Sequence, residues 1–113
     1  MNAADPIAEL TAAIRLGRQL AAQARADLTA ATPTLIDAIR HQSGQSTKLE
    51  SILWSLWNDE HPVSLCDTLA GLDPNLAQAA VAMIAARAHC GGDADDMLRT
   101  IIDATGSQPP VTP

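Results

Sequence analysis

Within residues 1–106 the chain three times sets a side-chain-capping residue directly before a proline: Asp5-Pro6, Thr32-Pro33 and Asp73-Pro74. Such a residue accepts a hydrogen bond from the bare amides of a helix's first turn, and proline, with φ fixed and no N–H, suits the first helical position. Each pair therefore reads as a helix start. The spacing predicts a first helix from Pro6 to about Ala31 and a short second one through Leu35, Ile36 and Ile39, closed by the turn Ser43-Gly44. Thr47 with Glu50 forms a candidate capping box for a third helix, Lys48 to Asn58, and Ser64 with Asp67 offers another for a brief helical turn ending at Gly71. Behind Asp73-Pro74, the stretch from Leu76 to Ala88 has only Gln78 and Arg87 as polar residues, so that helix, near 74–90, belongs in the middle of the fold. Gly91-Gly92 stops it, Asp93 is the expected cap of a last helix through Met97, Leu98, Ile101 and Ile102, and Gly106 ends that one.

Composition leaves little room for a sheet. Of 53 apolar residues 22 are Ala and 13 Leu, strong helix formers, while Val, Ile and Trp number three, eight and two, with no Phe or Tyr. The reading is an all-α protein: a single compact domain of five or six helices over residues 1–106, with a long N-terminal helix and a flexible C-terminal tail, 107–113. On a helical wheel Ile7, Leu10, Ile14, Leu20, Ala21, Ala24 and Leu28 fall on one broad arc of the first helix, and Arg15, Arg18 and Arg25 align on a separate stripe. That helix is a packing element inside the fold or half of a homodimer seam; its basic stripe is a solvated face or a second interface.

Residues 1–48 carry five basic and four acidic side chains, residues 49–113 two and nine, so the halves stand at +1 and −7. A domain this acidic lacks the clustered Lys and Arg that neutralise phosphates, which argues against direct nucleic-acid binding. It would instead attract a protein partner with a basic surface. The turn Ser43-Gly44-Gln45-Ser46 between two helices resembles a helix-turn-helix, but the second helix offers Lys48 as its one base among Leu, Ile and Trp. No apolar stretch approaches the ~20 residues that span a bilayer, so no membrane role is expected. Asp5 and Glu9 interrupt any leader-like segment, and Cys66 and Cys90 read as free, buried thiols of a reducing cytoplasm.

No catalytic signature such as G-x-S-x-G occurs, and His41, His61, Cys66, His89 and Cys90 lack the close pairing of a structural zinc site. The expectation is no enzyme, no metal and no cofactor. Asp93, Asp95 and Asp96 crowd a first helical turn, where acids favour the exposed amides, yet they also make a compact negative knob. Trp54 shares its side of the third helix with Ser51, Ser55 and Asn58; it either covers a neighbouring helix or, if exposed, serves as a binding anchor.

Ser43-Gly44-Gln45, the helix Leu53-Trp54-Ser55-Leu56-Trp57-Asn58, then Leu69, Leu72-Asp73 and the helix around Met83-Ile84 resemble a family of short proteins from proteobacterial integrative elements and plasmids. The resemblance covers residues 43–102, with Leu56 where that pattern has a tryptophan. It implies a mobile-element accessory protein, similar in kind to anti-CRISPR proteins. The leading expectation is thus a non-catalytic inhibitor whose acidic half, through Asp59, Glu60, Asp93, Asp95 and Asp96 with Trp54, docks on a basic nucleic-acid-handling complex. The alternative is a helical homodimer built on the first helix, with a structural or regulatory role on a plasmid or integrative element and with Arg15, Arg18 and Arg25 at the dimer interface or a second one.

Overall fold

The computed structural model describes residues 5–58 and 60–110. In chain order they form α1 (Pro6–Arg40), α2 (Gly44–Trp57), α3 (Leu65–Leu69), α4 (Pro74–His89) and α5 (Gly92–Thr105), with no strand among the described residues. The all-α class, the long first helix and the apolar central helix are as the sequence predicts. Asp5 caps α1 as expected, its carboxylate accepting from the Ile7 N–H at 3.0 Å.

The first helix does not stop at Ala31. It continues through Pro33 to Arg40, 35 residues in all, absorbing the separate short helix expected after Thr32. Proline removes one i→i−4 hydrogen bond, here to the Thr29 carbonyl, but both Thr29 and Pro33 lie on the exposed side, where water can serve that carbonyl. Thr32 does not cap; its hydroxyl donates back to the Leu28 carbonyl at 2.7 Å within the running helix. On the opposite side Leu28, Leu35 and Ile39 are fully buried, and their burial on both sides of Pro33 outweighs the missing bond.

α4 is the hub, packing most extensively on α1 and also on α2 and α5. Its inward positions Ala79, Ala80, Ala82 and Ala86 carry little bulk, so α1 can approach closely, while Leu76 and Met83 fill the remaining space. Two other helix starts differ from expectation. α2 begins at Gly44, where the Ser43 hydroxyl accepts from the Ser46 N–H, so the Thr47–Glu50 box falls inside the helix. α5 begins at Gly92, and Asp93 spends its carboxylate on an ion pair instead of a cap. The turn at Gly71 and the stop at Gly106 are as read, both in the left-handed region at φ +86° and +64°.

Ser107, the first residue of the expected tail, is fastened to the core: its hydroxyl accepts from Trp54 Nε1 at 3.0 Å and donates to Glu50 Oε2 at 2.7 Å. Residues 111–113 lie outside the described residues.

At 1.5 Å per residue α1 is a rod of about 52 Å, which sets the molecule's long dimension of 58 Å against 26 Å across. Replacing Pro33 with Ala restores the bond to Thr29, a gain of up to about 3 kcal/mol in helix preference less about 1 kcal/mol for the looser unfolded chain. Urea denaturation of P33A is expected to show a net gain of about 1–2 kcal/mol; a loss would mean that the packing of Leu28 and Leu35 depends on the proline.

Candidate interaction surfaces

From Asp5 to Leu20 every residue of the chain is exposed, and Ala24 is the first buried side chain of α1. Residues 6–20 thus form an arm projecting from a head made of the rest. The head begins where the Cys90 thiol reaches the Ala21 carbonyl at 3.4 Å.

The arm is bare on an apolar side. Ile7 is 76% exposed, Leu10 61%, Ile14 48% and Leu20 40%, four of the seven large exposed hydrophobics of the described residues. Ile7, Leu10, Ile14, Gly17, Ala21, Ala24, Leu28, Ala31 and Leu35 follow one another at alternating steps of three and four. This is the spacing of a helix seam that faces another helix along its whole length. Inside the head the seam is covered by the core from Ala24 through Leu28 and Leu35; along the arm the same seam is open.

The acidic residues fare differently. Asp93 is paired with Arg25 at 2.9 Å and Asp95 with Arg87. Asp96 is exposed beside them on the first turns of α5. Glu60 is exposed in the connection after α2, its N–H held by the Asn58 side chain at 2.9 Å. Asp59 lies outside the described residues. An open cleft of about 360 Å³ brings Asp95 and Asp96 together with Trp57, Asn58 and Arg99, the Arg99 guanidinium sitting 5.7 Å from the Trp57 ring centre. The knob is therefore a mixed-charge surface on which arginines already accompany the acids.

The basic stripe divides in the same way. Arg15 and Arg18 stand on the exposed arm with no ion pair among the described residues, whereas Arg25 turns to Asp93 and joins the basic and acidic surfaces at one point.

Trp54 is not an exposed anchor. It is 9% exposed, part of the core, with Trp57 and His61 edge-on at 5.5 Å each and Ser107 on its indole N–H. The helical wheel misplaces it because α2 touches α1, α3, α4 and α5, so its polar side is covered as well. Cys66 is also displaced from expectation: it is exposed, and only Cys90 is buried.

A cavity of about 510 Å³ is an open groove between α1 and α4 lined by alanines, Val81, Thr34, Asn75, Gln78 and Asp27, its one titratable group. Among the described residues no three His, Cys, Asp or Glu side chains converge on a common point, and no helix is long and apolar enough to cross a membrane.

Comparison with known proteins adds one match. Residues 29–105 fit the model of a family of unknown function (DUF7673), a span that starts next to Leu28 and takes in the head up to the end of α5. No curated protein and no solved structure matches the chain.

The burial of Trp54 has a direct consequence. Trp54→Ala is expected to cost about 3–5 kcal/mol in a denaturation experiment, while Glu60→Gln and Asp96→Asn stay within about 0.5 kcal/mol of the parent. A neutral W54A would place the indole outside the core.

Proposed function

The chain belongs to this family of unknown function, DUF7673, and we propose that it is a non-catalytic assembly module, a homo-oligomer in which the α1 arm of one copy packs on that of another. The observation that carries the reading is the open seam: Ile7, Leu10 and Ile14 continue, on the same helix face, the line that Ala24, Leu28 and Leu35 bury inside the head. A helix of 15 projecting residues draws no support from tertiary packing, and isolated helices of that length are marginal in water. A second helix on the seam supplies the missing cover.

Magnitudes limit the association to a weak, reversible one. Fully burying a Leu or Ile side chain is worth about 1.5–3 kcal/mol, and each arm exposes about two such side chains' worth at Ile7, Leu10 and Ile14, so a pair gains roughly 6–12 kcal/mol before an association cost of about 4–15 kcal/mol. The favourable end of that balance, about 4–8 kcal/mol net, corresponds to a dimer in about the millimolar to micromolar range. Charge does not oppose it, since the arm carries only Glu9, Arg15 and Arg18 while most of the chain's acids sit on the head.

An inhibitor of the anti-CRISPR kind, borne on a mobile element and docking on a basic groove, draws on the −7 charge of residues 49–113. Its support is thinner, because Arg25 and Arg87 accompany two of its acids and Trp54 is buried. Under the assembly reading Asp96 and Glu60 keep the protein soluble.

Sedimentation at rising protein concentration is expected to show a dimer that Leu10→Glu with Ile14→Glu converts to monomer, the denaturation midpoint of the head staying put. A parent chain that remains monomeric up to millimolar concentration would end the reading.

A further inference from the structure

Resting on that reading, we infer that the partner is a second copy running antiparallel, with Ile7 of each arm seated over the dent that Gly17 leaves in the other. The seam is not uniform along the arm: its large side chains, Ile7, Leu10 and Ile14, lie toward the N-terminus, and its next position is Gly17. Nothing stands within 4 Å of the place a Cβ on Gly17 would occupy, so the seam has an open notch there. A parallel pair sets Gly17 against the partner's Gly17 and leaves a void there. An antiparallel pair sets large on small, which fills space at both ends and costs no cavity.

The head fixes how far the two arms overlap. Setting Ile7 against the partner's Ala24 is impossible, because Ala24 is 3% exposed and covered by its own core. One heptad back, Ile7 meets the partner's Gly17 and Leu10 meets the partner's Ile14. The described tip at Pro6 then ends beside the partner's Arg18, short of the Ala21 carbonyl that the Cys90 thiol covers. The free seam and the overlap therefore have the same length. The two heads come to lie at opposite ends of the paired arms.

Disulfide trapping in the full chain separates the arrangements. With Cys66→Ser as background and the buried Cys90 kept, Ile7→Cys and Gly17→Cys are prepared singly, then oxidised alone and mixed. In the antiparallel register a cysteine at 17 lies ten residues, about 15 Å, from its own copy on the partner, well beyond disulfide reach of about 7 Å. Each variant alone is expected to stay at monomer mass on a non-reducing gel, and the mixture to shift to dimer mass. Self-linking of either variant alone would show a parallel pair and overturn the inference. So would a sedimentation dimer that gives no link in the mixture, which would leave the homo-oligomer reading standing. A monomer in sedimentation would remove both. A second variant tests the notch without cysteine: Gly17→Leu strengthens the isolated helix yet is expected to weaken association about tenfold or more, with the head's denaturation midpoint unchanged; equal or tighter association would overturn the seating of Ile7.

Discussion

Everything in this molecule hangs on the contact between the second half of α1 and the alanine face of α4. Leu28, Leu35 and Ile39 reach inward from one helix, and Ala79, Ala80 and Ala86 give way on the other, so the two backbones approach closely around Met83. α2 and α5 then close the sides, bringing Leu49, Ile52, Leu53, Leu98 and Ile101 into the same core. A core with no Phe or Tyr achieves its packing by proximity, small against large, where α1 meets α4. The same contact also carries α1 across Pro33, since buried side chains lie on both sides of the proline and keep the helix continuous through its missing bond.

Much of this was legible from punctuation and hydropathy. Asp5-Pro6, Asp73-Pro74, Gly71 and Gly106 mark boundaries because local chemistry decides them: a cap, a fixed φ, or a left-handed residue. Thr32-Pro33 carries the same local signal and is not a boundary, because the deciding energy there is tertiary and leaves no trace in a dipeptide. Trp54 fails as a surface residue for the same reason. Its neighbours on the wheel, Ser51 and Ser55, describe the helix alone, whereas α5, His61 and Ser107 arrive from elsewhere to cover it. Ser55 in turn returns its hydroxyl to the Ile52 carbonyl at 2.8 Å and needs no solvent.

The acidic knob shows a related limit of reading charge along a chain. Asp93, Asp95 and Asp96 sit together in sequence, and their sum looks like an uncompensated field. Folding brings Arg25 from 68 residues away and Arg87 from the preceding helix, so the surface a partner meets is mixed in sign. These exposed pairs add little stability, being open to solvent screening. Their effect is on recognition: a basic groove approaching α5 encounters guanidinium groups beside the carboxylates it would seek.

The arm was half legible. Its apolar arc is plain in Ile7, Leu10 and Ile14, but periodicity cannot say whether a stripe is covered by its own chain or left open, and in α1 one stripe does both. The division falls at Ala21 to Ala24, where α4 ends at His89 and Cys90 makes the last contact. The matched family span, residues 29–105, lies on the head side of that division, so the arm stands outside it. One seam thus carries two kinds of consequence along its length. Past Ala24, a change in side-chain size is felt as stability, because the neighbouring helix belongs to the same chain. Before it, the same change leaves the head intact and is felt only where another helix supplies the missing half of the packing, which makes Gly17, the smallest residue on the open stretch, the position from which that helix's direction can be read.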